Sequence, residues 1–483
     1  MSNRISLISQ SLTLPRKNIE NFMIGEWVEH PQYGRGQVVA LFRNGTEWMV
    51  RFESGLRFRR PRQEFNGQRE GAMSAAPPAL PTAAPMPRTQ MEARQLIEAL
   101  RVGIAPAQHV RELTIGLAAE RSSLAGGLNK AHQTGGAVRA VVGDYGFGKS
   151  HIVELTAQEA LTRNFLVAAT SLDLLELPAH RAFDIYGALL RNLRYPNNDE
   201  RGLRPLLDAA LEHPRARQQL KEIAAVTPDP LTVTVEAMHS TTASRQRQGW
   251  VEWLLSGRKG KTLGNPLPRG VKFPTLYRSG SNDRQIAYLL SGVSVLARML
   301  GYSGLCLLID EAESYSLLRA RQRAQADRFF QALIYAALRD TQAHIDAAIL
   351  PQHHYRDYPL TYGGKQSLFF LFTTTHSDTA MPLADWLDED QVLALNPHHT
   401  PQEIGQFLQQ VMGYHAQAYR YEPDERQGQI RRAAAEHLAL GMRNNTLSIR
   451  EVVRLAVELF DLLYQYPDYA AAALLDELRE QTR

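Results

Sequence analysis

The segment GDYGFGKS, Gly143 to Ser150, constrains this chain more than any other. It fits GxxxxGK[ST], a loop that turns a β-strand into an α-helix while its backbone N–H groups point inward at phosphate. Glycines are required because side chains would block that approach, and the helix start adds favourable partial charge. The flanks agree: Ala140-Val141-Val142 reads as a short buried strand and HIVELTAQEAL as a helix. Gly143, Gly146 and Gly148 shape the cradle, and Tyr145, Phe147 and His151 complete the set expected to contact a nucleotide. Lys149 would bridge β- and γ-phosphate, and Ser150 would ligate Mg²⁺. ATP and Mg²⁺ are therefore the expected cofactors.

A phosphate loop of this kind needs a second, acidic site. LCLLIDEAES, from Leu305, is an apolar strand ending in two carboxylates. Asp310 is placed to hold the metal through its water shell and Glu311 to orient the attacking water. Glu313 could be an auxiliary acid, but reads first as a solvated charge at a helix start. The strand Ser367–Leu371 runs into Thr373-Thr374-Thr375-His376, where a polar group would sit between water and γ-phosphate. Thr374 is the choice made here, although register decides which threonine faces the nucleotide. Further on, Ser448 and Glu451 have the S-x-x-E shape of a capping box ahead of an apolar helix. Arg450 lies on its first turn, where it could reach a γ-phosphate; Arg454 is the alternative. Arg319, Arg321 and Arg323 could offer an arginine finger to a neighbouring subunit or simply form a solvated face. His353-His354 lacks partners at metal-ligand spacing.

Organisation along the chain follows from patterning. Residues 22 to 66 read as four or five short strands with turns at Gly34-Arg35-Gly36 and Asn44-Gly45, hence a small SH3- or Tudor-like barrel, assigned to 1–66. Residues 67–90, rich in proline and alanine, form a tether without hydrophobic periodicity. Strands and helices then alternate over 91–395, which predicts a parallel sheet covered on both faces, with a helical insertion at about 196–280. VRELTIGLAAERSSLAGGLNKAHQ, from Val110, reads as one helical stretch. Residues 396–483 have helical periodicity almost throughout and predict a C-terminal lid. The fold class is thus α/β: a P-loop core with a parallel sheet and helical lid, preceded by a small all-β barrel.

Composition narrows the setting. Forty-four per cent hydrophobic and 22% charged residues exclude a wholly disordered or collagen-like chain. One cysteine, Cys306, excludes a disulfide scaffold and fits the cytoplasm. No apolar run is long enough to span a bilayer, and the N-terminus has no continuous apolar segment of a secretory signal. The net charge is +4, and residues 51–69 alone carry that surplus: Arg51, Arg57, Arg59, Arg60, Arg62 and Arg69 against Glu53 and Glu64. That stretch, with Phe58 and Trp48, is a candidate DNA contact or, equally, a basic edge strand that resists aggregation.

Two resemblances add to this. WVEHPQYGRGQVVALFRNGTEWMVRFESG resembles small barrels attached to some DNA helicases and transcription–repair factors. ARQLIEALRVGIAPAQHVRELTIGLAAE, VVGDYGFGKSHIVELTAQEAL, WLLSGRKGK and LLIDEAES together resemble BREX-system ATP-binding proteins of the BrxD type, over about residues 91–460. That resemblance implies AAA+/Orc-like topology, nucleotide held by Gly146, Gly148, Lys149 and Ser150, catalysis by Asp310 and Glu311, and a role in bacterial anti-phage defence. It also implies partners among other defence proteins, such as a helicase or methyltransferase; the roughly 160 residues between the phosphate loop and Asp310, more than a minimal nucleotide fold needs, suggest a partner-binding or oligomer-forming surface and hence a homo-oligomer. The combined expectation is an ATP-hydrolysing protein that remodels or loads a DNA-associated partner. A nucleotide-gated assembly switch and a DNA-binding scaffold with little turnover are the other readings.

Overall fold

A computed structural model describes residues 26–31, 34–42, 46–52, 57–65, 87–104, 107–260, 263–264, 266–267, 271–278, 281–339, 344–376, 381–395, 399–444 and 446–466. The chain divides into two compact units, Met1–Pro85 and Met86–Arg483. Most of the proline- and alanine-rich stretch lies outside the described residues.

The first unit is an antiparallel meander of β1 (Trp27–His30), β2 (Gly34–Phe42), β3 (Glu47–Phe52) and β4 (Arg57–Pro61), in that order. Alternation along the strands sends Val28, Val38, Trp48, Val50 and Phe52 to one face, where Phe65 joins them in a small core. A bulge between Val38 and Ala40 shifts the β2–β3 register and bends the strand.

The second unit begins with α1 (Arg88–Arg101), which starts inside the segment expected to be tether up to residue 90. Pro87, with φ fixed near the helical value, immediately precedes it. There follow α2 (Ala118–Thr134), β5 (Gly136–Val142), α3 (Lys149–Thr162), β6 (Phe165–Ser171), α4 (Ala182–Arg191) and β7 (Leu193–Arg194). The insertion contributes α5 (Arg204–Glu212), α6 (Pro214–Ile223), α7 (Pro230–His239) and α8 (Ser244–Ser256). Then come α9 (Asp283–Met299), β8 (Gly304–Asp310), α10 (Ala320–Leu338), β9 (Leu368–Thr374), α11 (Leu383–Trp386) and β10 (Val392–Ala394). Three long helices come last among the described residues: α12 (Pro401–Tyr419), α13 (Glu425–Arg443) and α14 (Ile449–Gln465).

The sheet order is β10-β5-β9-β8-β6-β7, parallel except for the short edge strand β7. Both faces are apolar, as a sheet buried on two sides requires. Val138, Leu166, Leu307 and Phe370 point into one core under α4, α9 and α10. Val141, Val167, Leu308 and Phe369 point into the other under α2 and α3. The arrangement is the expected α/β core, a mostly parallel sheet with the phosphate-loop strand β5 between β10 and β9. Strands β7 and β10 were not expected, being only two and three residues long, too short for periodicity to register.

Two further differences matter for the site. Val110 to Leu117 is not helical: only turns and bends occupy it, and helix α2 starts at Ala118. Gly116 and Leu117 both adopt positive φ, which ends any helix running through them. And α1, grouped by sequence with the ATPase core, packs instead on the C-terminal helices, with Leu96, Ile97 and Leu100 against Phe407, Leu408 and Phe460. Each of the last three helices starts with a capping box: Thr400/Glu403, Asp424/Gln427 and Ser448/Glu451.

Candidate functional site

The glycine-rich loop leaves β5 and enters α3 as its motif demands. Gly146 and Gly148 hold φ of +86° and +88°, a region open to glycine at no steric cost. A Cβ at Gly146 would lie 3.1 Å from Ser448 Cβ, so the loop and the start of α14 meet closely there. Lys149, 7% exposed, turns its ammonium back on the loop and donates to the carbonyls of Gly143 (2.9 Å) and Asp144 (3.1 Å). Ser150 lies exposed on the first turn of α3. Gly143 N–H donates to Thr374 O at 3.2 Å, which ties the loop's root to the end of β9.

β9 runs between the loop strand β5 and the acidic strand β8, and this is what brings threonine to carboxylate. Its register turns Thr373, not Thr374, onto Asp310. Thr373 Oγ1 donates to Asp310 Oδ1 at 2.6 Å and accepts from Glu311 N at 3.1 Å. Thr374 is buried on the opposite face, and its main chain rather than its hydroxyl meets the loop. Asp310 Oδ1 also accepts from Glu311 N at 2.9 Å. Glu311 takes a left-handed conformation, φ +57°, which breaks the strand and starts the 3₁₀ turn Ala312–Leu317. Its Oε2 accepts from Ser171 Oγ at 2.8 Å.

A cavity of about 340 Å³ joins these parts: Tyr145 to His151, Glu311 and Arg450 line it together. Arg450 Nη1 donates to Tyr145 OH at 3.2 Å, so the first turn of α14 does reach the loop. Arg454 is exposed and does not line the cavity. Most of the remaining wall is apolar, built by Val110, Leu113 and Ile115 with Phe407 and Val453, while Glu154 and His399 also line it. Sequence reasoning missed this half because it read Val110–Leu117 as helix. The signal was present in Gly116, next to the β-branched Thr114 and Ile115.

His151 Nε2 lies 2.9 Å from Thr114 Oγ1, whose own proton goes to Val110 O at 2.6 Å. The imidazole therefore donates through Nε2, an assignment that follows from the bond network. Burial drives its pKa from 6.5 down to about 4, although Glu154 pulls the other way. The ring is neutral at physiological pH.

Other candidates disperse. Arg323 stacks over Tyr315 (5.8 Å) and donates to Leu318 O, while Arg319 and Arg321 are exposed. His353 stacks on Tyr277, centroids 3.5 Å apart. The side chain of Glu313 is outside the described residues. Among the described residues no group of three or more His, Cys, Asp or Glu side chains gathers as a metal site, and no helix is long and apolar enough to cross a membrane. In the first unit Arg59 pairs with Glu47 at 2.6 Å, Arg35 lies over Trp27 (5.0 Å), Arg62 lies over Trp48 (5.3 Å) and Arg51 is exposed. Arg69 and the side chains of Arg57, Phe58 and Arg60 are outside the described residues.

The phosphate loop, strands β5 to β7 and the helices α1 to α7 are the part of the chain that comparison recognises. Residues 89–241 match the family model of the BREX system ATP-binding protein BrxC/D. The BrxC/D match runs from α1 through α7 and contains the whole phosphate loop and Ser171, while Asp310, Glu311, Thr373 and Arg450 lie beyond it. The match covers 153 of the chain's 483 residues and is to a family described as ATP-binding. No curated protein matches the chain.

Proposed function

We propose that this chain binds ATP with Mg²⁺ and hydrolyses it, and that turnover drives the remodelling or loading of a DNA-associated partner in phage defence. The observation that carries the reading is the convergence of Lys149, Glu311 and Arg450 on one cavity from three separate elements. The N–H groups at the start of α3 and the Lys149 ammonium would take the phosphates, the ammonium exchanging two loop carbonyls for phosphate oxygens. The apolar half, Leu113, Ile115, Phe407 and Val453, suits a purine base. Ser150 and Asp310 offer hard oxygen donors on either side, few enough to suit Mg²⁺, which keeps several waters and shares phosphate oxygens. Glu311 would orient the attacking water, and Thr373 would hold Asp310 and the Glu311 backbone in place. Thr374, chosen from sequence, keeps a backbone role.

The same reading places the protein in the cytoplasm as a homo-oligomer, working with other defence proteins such as a helicase or methyltransferase. The N-terminal all-β unit, 1–66, would contact DNA through basic residues within 51–69, and a tether would link it to the ATPase core and its lid. Steady-state ATP hydrolysis by the full chain tests the proposal, wild type beside Glu311→Gln, with and without double-stranded DNA. Turnover that is lost in Glu311→Gln while ATP binding persists, and that rises with DNA, is the expected result. Equal turnover in both proteins would remove Glu311 from the chemistry. No turnover in either, with ATP bound, would favour the assembly switch.

A further inference from the structure

Two cavities of about 390 and 320 Å³ lie side by side, sharing Phe183, Asp184 and Arg278, and neither shares a lining residue with the phosphate-loop cavity. Their walls hold five arginines, Arg181, Arg191, Arg258, Arg278 and Arg328, against the carboxylates of Asp184 and Asp283. Both carboxylates are already engaged. Arg278 Nη2 donates to Asp184 Oδ1 at 3.1 Å, and Arg328 Nε to Asp283 Oδ2 at 3.4 Å. Arg191 reaches Glu252 at 3.4 Å. Arg181 and Arg258 are exposed and have no carboxylate partner among the described residues.

The shared wall is fixed in place. Arg278 Nη1 also donates to Ser256 O at 2.9 Å, and its guanidinium lies 5.8 Å from the Phe183 ring centroid. Gly257 ends α8 with φ +66°, and a Cβ there would come within 3.1 Å of Arg278 Cγ. The glycine thus permits both the turn and the close passage of the arginine stem. Four parts of the fold supply the charge: the two ends of α4 with Arg181 and Arg191, the turn after α8 with Arg258, the segment before α9 with Arg278, and α10 with Arg328. A surplus of positive charge in a concave wall concentrates the field of all its members. That every cation among the lining residues, His180 aside, is an arginine favours phosphate, whose oxygens the planar guanidinium fork fits.

We infer that this double cavity binds the phosphodiester backbone of a single nucleic-acid strand, with successive phosphates on either side of Arg278. Compartments of this size hold a short backbone segment rather than a duplex. The site uses none of residues 51–69 and does not depend on ATP turnover.

Fluorescence anisotropy of a labelled oligothymidylate, titrated with the full chain over a salt series, tests it. Wild type is compared with the pair Arg181→Glu, Arg258→Glu, and a thermal melt checks that the fold survives. The pair should bind about tenfold or more weakly, and the slope of log K against log salt should flatten by about 1.4, the value for two lost single-strand phosphate contacts. If charge reversal prevents folding, Arg181→Gln with Arg258→Gln should shift affinity and slope the same way. Unchanged affinity and slope in a folded variant would overturn the inference. So would a polyglutamate peptide that displaces the strand as well as unlabelled oligothymidylate does, or a duplex whose binding falls equally.

Discussion

Ser171 Oγ donates a 2.8 Å hydrogen bond to Glu311 Oε2, across the β6–β8 pair in which Ser171 stands opposite Asp310. The hydroxyl draws the proposed water-activating carboxylate toward the neighbouring strand and occupies one of its lone pairs. Such a bond to a charged group contributes up to about 1.5–3 kcal/mol, and here less, because both side chains are exposed. Ser171→Ala should therefore raise basal ATP turnover by about three- to tenfold, with KM little changed, measured by phosphate release. A fall in turnover would show that the serine positions Glu311 for the reaction instead.

Thr373 bridges Asp310 Oδ1 and Glu311 N. Thr373→Val keeps the shape and removes the hydroxyl, so that Asp310 Oδ1 and Glu311 N keep each other but lose the side chain that ties them to β9. Turnover should fall by about tenfold or more while ATP affinity changes little, whereas Thr374→Val should stay within about threefold of wild type. Single-turnover hydrolysis beside equilibrium nucleotide binding separates these outcomes, and the reverse order would reassign the polar role to Thr374.

Gly103, at φ +77°, lies where an added Cβ would come 2.4 Å from Arg450 Cγ. Gly103→Ala should displace the arginine from the loop and reproduce Arg450→Ala, weakening ATP binding by about five- to tenfold. Because both changes act on one contact, the double variant should bind no worse than the poorer single one. Fluorescent-nucleotide anisotropy measures this cycle, and simple additivity would place the two residues on independent paths.

His151 has its pKa lowered by burial to about 4 in the folded chain. Below its ordinary value of about 6.5 the unfolded chain binds a proton that the folded one refuses, so stability is lost as pH falls from 6.5 toward 4. The largest effect is about 3 kcal/mol, reduced by the ring's partial exposure. His151→Gln should flatten that part of the stability profile, read from urea midpoints at pH 7 and pH 4.5. An equal loss in both proteins would locate the acid sensitivity elsewhere.

Much of this protein was legible in its sequence because the information is local. A phosphate loop needs its glycines and Lys149 within a few consecutive residues, a buried strand shows as an unbroken apolar run before Asp310, and Ser448 with Glu451 announces a helix start. These features depend on backbone geometry over one or two turns, which sequence spacing states directly. What the tertiary structure decided depends on which strands are neighbours and in what register. Only the placement of β9 between β5 and β8 turns Thr373 rather than Thr374 to Asp310, since a shift of one residue reverses every side chain on a strand. Only the β6–β8 pairing brings Ser171 to Glu311. The apolar half of the cavity joins residues near 110 with residues near 407 and 453, and α1 finds its core among helices at the far end of the chain, because burial of apolar surface is non-directional and takes no account of sequence distance.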